Sequence, residues 1–119
     1  MLKKINRINR DKEFDRVFKM GKSNYSKFLG VKMVKNELGT NRLGILVSTK
    51  VSKKAVIRNK IKRQIREIFY QETSKMLVGY DFVIVVFSEI LEKNFEELST
   101  ILKKSFDGLG VYNKKNNNK

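Results

Sequence analysis

Six residues within nine positions, Arg58, Asn59, Lys60, Lys62, Arg63 and Arg66, carry the most concentrated polar chemistry of this sequence. Arginine presents a planar fork of N–H donors that matches a phosphate, and lysine a compact point charge. From position 50 to position 66 there are eight basic side chains and no acid. Three of the chain's seven arginines fall in that stretch. A helix that merely faces water usually mixes signs, because opposite charges one turn apart stabilise it. An unbroken cationic run repels itself and points instead to a polyanion, with phosphate as the group it holds.

Other chemistries have little to work with. The chain has no cysteine and no histidine. That removes disulfide partners, thiolate metal sites and the usual general base at neutral pH. A nuclease working by itself would need to recruit acids such as Glu13, Asp15, Asp81, Glu96 and Glu97. Glu13 and Asp15 lie two apart on a helix and do not converge, and Glu97 reads as a capping residue. No catalytic residue and no metal ligand is assigned. Phe14 and Phe18 form a second feature, an aromatic pair at i and i+4. Such a pair can be core, or it can be a platform for an unstacked base, with one ring edge buried and one face available.

The elements that position these residues follow from periodicity. Asp11 can cap a helix with apolar Phe14, Val17 and Phe18, which Gly21 would end as a left-handed residue. Residues 25–34 alternate as a strand, with Tyr25, Lys27, Leu29, Val31 and Met33 on one face and Phe28, Gly30, Lys32 and Val34 on the other. A short strand at 22–24 could precede it. The strand 42–48 follows a turn-rich loop, and the two are expected to pair as an antiparallel hairpin. A helix over about 55–71 places Ile57, Ile61, Ile65, Ile68 and Phe69 in one arc of about 120°, with Arg58 near the edge of that arc at about 100° and the other cations on the rest of the surface. The run 80–87, YDFVIVVF, reads as a central strand covered on both faces. Asn94 and Glu97 fit a capping box for a last helix that Gly108 would close. The order predicts an α+β protein, a two-layer α-β sandwich with the sequence α-β(ββ)-α-β-α.

The chain has 119 residues with 27 basic and 12 acidic side chains, a net charge of +15. One domain is expected over 1–112, with 1–10 as a basic arm and 113–119 as a disordered tail of low complexity. The longest apolar run, Phe82 to Phe87, is far shorter than a membrane span. No membrane partner is expected, and a soluble cytoplasmic location is. The charge makes nucleic acid the leading partner, and composition leaves its kind open.

The stretch AVIRNKIKRQIRE, 55–67, strongly resembles the signature of the protein component of bacterial ribonuclease P, an Arg-Asn-Arg run followed by a Lys-Arg pair. RLGILVSTK, 42–50, is similar to that family's Arg-x-Gly strand, and EFDRVFKMG, 13–21, to its first helix. The resemblance spans about residues 3–110. Here the third motif position is Lys60, which keeps the charge and lacks the fork, Thr49 replaces a lysine, and Ser52 replaces a frequent glycine. The resemblance implies a left-handed βαβ crossover and a subunit of the enzyme that removes the 5′ leader from precursor tRNA. It implies a catalytic RNA subunit, with Mg2+ held mainly by that RNA. Arg58, Asn59, Lys60, Lys62, Arg63 and Arg66, with Lys53 and Lys54, would face the catalytic RNA. Phe14, Phe18 and Lys50 would line the leader cleft, where Val31 and Phe87 are also expected. A ribosomal-type RNA-binding protein is the main alternative that size and charge allow.

Overall fold

Strand β4, Tyr80–Val86, sits inside the sheet and pairs on both sides. The structure is a computed structural model that describes residues 11–113, without the side chains of residues 11–13 and 20. Ahead of β4 come α1 (Asp11–Met20), β1 (Lys22–Tyr25), β2 (Leu29–Lys35), β3 (Arg42–Leu46) and α2 (Ala55–Thr73). After it come a short 3-10 turn, Ser88–Glu92, and α3 (Phe95–Leu109). The sheet order is β1-β2-β4-β3. β4 runs antiparallel to β2 and parallel to β3, so α2 is the crossover between two neighbouring parallel strands.

This order corrects the expected hairpin. β2 and β3 are neighbours in sequence, yet β4 lies between them, with Val31 opposite Ile84 and Ile45 opposite Ile84. The physical reason is the apolar run itself: a strand that is hydrophobic on both faces gains most at the centre, where both faces are covered. Phe82, Ile84 and Val86 face α2 and α3, packing with Leu29, Val31, Met33 and Leu43 of the sheet. Ile61, Ile65, Ile68 and Phe69 of α2 and Leu98, Leu102 and Phe106 of α3 complete that core. Phe69, Phe82 and Phe106 meet edge to face at centroid distances of 5.3, 6.1 and 6.1 Å, the arrangement that ring quadrupoles favour. Val83 faces the other way, against Val17 of α1, with Phe14, Val34 and Val85 around it. The α-β sandwich is thus the sheet with α2 and α3, and α1 covers part of the opposite face.

Two glycines act differently from expectation. Gly21 is absent from the residues with positive φ. A Cβ there would lie 2.5 Å from the Val17 carbonyl oxygen and 2.7 Å from that of Met33, so glycine lets the end of α1 touch β2. Gly108 lies inside α3, where a Cβ would lie 2.4 Å from Asn24 Nδ2, and Gly110, at φ 72°, is the left-handed residue that ends the helix. The capping box forms as expected: Glu97 N donates to Asn94 Oδ1 at 2.8 Å, and Asn94 N to Glu97 Oε1 at 3.0 Å. The basic arm 1–10 and residues 114–119 of the tail lie outside the described residues, as does the Asp11 side chain. Asn113 N donates to the Lys75 carbonyl at 2.8 Å, so the fold is tied down to that point.

The polar end of the inner strand is held by charge. Asp81 is fully buried and accepts from Arg42 Nε at 2.8 Å and Nη2 at 2.7 Å, and from Asn36 Nδ2 at 2.8 Å. Arg16 Nη1 stands 3.5 Å away, and Arg16 Nη2 donates to the Lys35 carbonyl, which ties α1 to β2. A second buried acid, Glu72, takes the Tyr112 hydroxyl at 2.9 Å and lies 3.7 and 3.8 Å from Lys75 and Lys103 Nζ. Burial, and then the Glu72 carboxylate, raise the Tyr112 phenol above its ordinary range, so it stays a donor.

Arg42→Ala leaves a buried carboxylate without its fork and is expected to cost about 3–5 kcal/mol in urea unfolding. Arg16→Ala, at a side chain 39% exposed, is expected to cost under about 1 kcal/mol. Equal losses for the two would contradict this account of Asp81.

Candidate nucleic-acid interface

The first surface begins where β3 leaves the sheet. Val47 and Val51 are buried and pin the 47–54 connection to the core. Ser48 Oγ accepts from Lys50 N and Ser52 Oγ from Lys54 N, both at 3.2 Å, so each serine turns the chain locally. Thr49, Lys50, Lys53 and Lys54 are left exposed. Helix α2 then starts on Lys54 with no side-chain cap and no acid in its first turn. Its N-terminal N–H groups therefore add to the positive field of the lysines beside them.

Along α2 Ile61, Ile65 and Ile68 are buried as expected, Ile57 is half-buried, and Asn59, Lys60 and Arg63 are exposed. Arg58, Lys62 and Arg66 are half-buried. Arg58 stands by the apolar arc, and its Nη1 donates to the Ser52 carbonyl at 2.9 Å. Part of this guanidinium thus fastens the connection to the helix, and the rest remains for a ligand. Arg66 is also engaged within the protein. The open charges are therefore Lys50, Lys53, Lys54, Lys60 and Arg63, with Arg58, Lys62 and Arg66 half-buried at their border.

The second surface is the part of the sheet that α1 leaves uncovered. Phe14 is half-buried against Val17 and Val83, whereas Phe18 is 38% exposed. The pair thus splits between the two roles open to it. Lys32 Nζ lies 5.7 Å from the Phe18 ring centroid and 5.7 Å from that of Tyr25. Tyr25 meets Phe87 edge to face at 6.4 Å. The result is a strip that alternates ring, cation, ring, ring. Gly30 makes it possible, since a Cβ there would lie 2.5 Å from Tyr25 Cδ1.

Two expectations change here. Val31 is fully buried toward α2 and α3 and does not line this cleft. Tyr25 turns to the α1 side, because a turn at 26–28, built on Ser26, breaks the expected strand, and pairing sets Tyr25 opposite Gly30. Lys50 is exposed on the β3–α2 connection, and among the described residues no ring contact joins it to Phe14 or Phe18. Lys32 is the residue that sequence reasoning missed, and its signal was a lysine inside an alternating strand of a buried sheet.

Fold and surface together define a class: a small, strongly basic α+β sandwich with a cationic crossover helix on one side of the sheet and an aromatic cleft on the other. The pattern of the Ribonuclease P family matches residues 2–110. A "Ribonuclease P protein component" of Clostridium botulinum is 38% identical over 111 residues, covering 92% of this chain and 99% of its own length. The solved RNase P protein of Staphylococcus aureus has a TM-score of 0.84 and 31% identity, covering 91% of this chain and 98% of its own. That of Thermotoga maritima has a TM-score of 0.70 and 36% identity, covering 82% and 96%. The chain belongs to the ribonuclease P protein family.

Arg63→Ala is expected to lower the salt slope of RNA binding by about 0.7–0.9, the value of one phosphate contact, with little change in stability. Arg58→Ala should in addition lower stability by about 1 kcal/mol, through its bond to Ser52. Salt titrations of RNA affinity beside thermal unfolding check both, and an unchanged slope for Arg63→Ala would contradict the assignment.

Proposed function

We propose that this chain serves in ribonuclease P as the subunit that docks on a catalytic RNA and holds the 5′ leader of precursor tRNA while that leader is removed. The observation that carries the reading is the sign-pure charge of residues 50–66, displayed on a helix whose isoleucines fix it to the sheet. RNA duplexes offer a deep, narrow groove, so a protein holds them chiefly by shape and phosphate contacts. Lys53, Lys54, Arg58, Asn59, Lys60, Lys62, Arg63 and Arg66 take that role toward the catalytic RNA.

The leader is single-stranded, and its bases suit the strip of Phe18, Lys32, Tyr25 and Phe87, with Phe14 and Lys50 assigned to the same leader-binding cleft. Each stacked base is worth about 1–3 kcal/mol on such a platform. Hydrolysis in this reading belongs to the RNA and its magnesium ions. In that reading this chain's part is binding and charge neutralisation. Asp81, the buried acid of β4, is spent on Arg42 and Asn36. No helix of the described residues is long and apolar enough to cross a membrane, and the reading places the work in the cytoplasm.

Reconstitution with a bacterial ribonuclease P RNA at low magnesium tests this directly. The protein is expected to restore precursor cleavage that the RNA alone loses, and equal cleavage with and without it would contradict the proposal. Phe18→Ala is expected to weaken leader-bearing precursor about 5- to 100-fold and to leave mature tRNA nearly unchanged. Equal losses would remove the leader from this cleft.

A further inference from the structure

At the sheet edge beyond Tyr25, β1 and the 26–28 turn face α3 across a cavity of about 580 Å³, a size typical of small-ligand sites. Tyr25 therefore borders two surfaces, the aromatic strip on one side and this cavity on the other. Phe28 and Ile101 give the cavity apolar walls, and Lys104 and Asp107 stand at its rim. Two polar groups line it without a use in the fold. Ser105 is 3% exposed, and among the described residues its hydroxyl has no hydrogen-bond partner. Asn24 is half-buried, with its amide against Gly108, and it likewise makes no hydrogen bond among the described residues. A buried hydroxyl without a partner is costly, and helix α3 would be more stable with alanine in that place.

We infer that this cavity is a nucleobase pocket for single-stranded RNA, entered over Tyr25. Apolar walls take the flat faces of a base. The Asn24 amide and Ser105 hydroxyl supply both donors and acceptors for its edge, the Asp107 carboxylate accepts from an exocyclic amine, and Lys104 meets the phosphate. An amine-bearing base such as adenine fits this set better than uracil. The inference rests on the leader reading only for where the strand comes from.

The probe is adenosine 5′-monophosphate, titrated into the full chain and followed by NMR at the Asn24 side-chain amide and the Ser105 and Gly108 backbone amides. These signals are expected to move with adenosine monophosphate and much less with uridine monophosphate. Ser105→Ala is expected to bind about fivefold to tenfold more weakly, the loss of one hydrogen bond, while melting at a higher temperature than the parent. A merely structural serine would not give that opposite pair. Signals that stay still, shifts that inorganic phosphate reproduces in full, or an alanine variant that binds as tightly as the parent would each overturn the pocket. In the enzyme assembled with its RNA, lengthening the leader should tighten binding in the parent more than in Ser105→Ala. Leaders of every length bound alike, with the monophosphate still seated here, would support the pocket and overturn the leader reading alone.

Discussion

The rest of the structure depends on β4 being covered on both faces. Its inner face, Phe82, Ile84 and Val86, fastens α2 and α3, and its outer face, Val83 and Val85, receives α1. Burying such side chains contributes about 1.5–3 kcal/mol each, more than a hairpin between β2 and β3 could recover with β4 left at an edge. Placing β4 between them makes α2 a crossover and sends it along the face opposite α1. The helix that carries the cations and the helix that carries the aromatic pair are thus separated by the sheet.

The same separation lets one small protein tolerate a large net charge. α2 has no acid in its first turn and carries cations along its outer side, so it is held by Ile61, Ile65, Ile68 and Phe69 against its own repulsion. Arg58 on the Ser52 carbonyl adds a local tie. On the other face half-buried Lys32 sits between Phe18 and Tyr25, where ring faces attract it by about 0.5–2 kcal/mol. In the proposed function the first surface takes a structured RNA by its phosphates and the second takes a flexible strand by its bases.

Much of this was legible in the sequence where the signal was local. The 3.6-residue spacing of the α2 isoleucines, the Asn94–Glu97 capping box and the apolar run of β4 each fixed an element by itself. The α2 cations could be named for the same reason. Strand order was not legible, because it depends on which distant strand is buried on both faces. The roles of Gly21 and Gly108 were hidden too, since both come from close approach to β2 and β1 rather than from their own turns. The alternation over 25–34 puts Tyr25 on the wrong face because the Ser26 turn interrupts a pattern that looks continuous. The alternation gives Lys32 a face and no role, as its partners Phe18 and Tyr25 come to it only in the folded sheet.

The central claim is that opposite faces of one sheet hold two different RNAs. Photo-cross-linking from a reactive side chain at position 63 or at position 18, in the enzyme assembled with its RNA and precursor tRNA, tests it most directly. Position 63 is expected to label the catalytic RNA and position 18 the 5′ leader. Labelling of the same RNA from both positions, or of the leader from position 63, would contradict it.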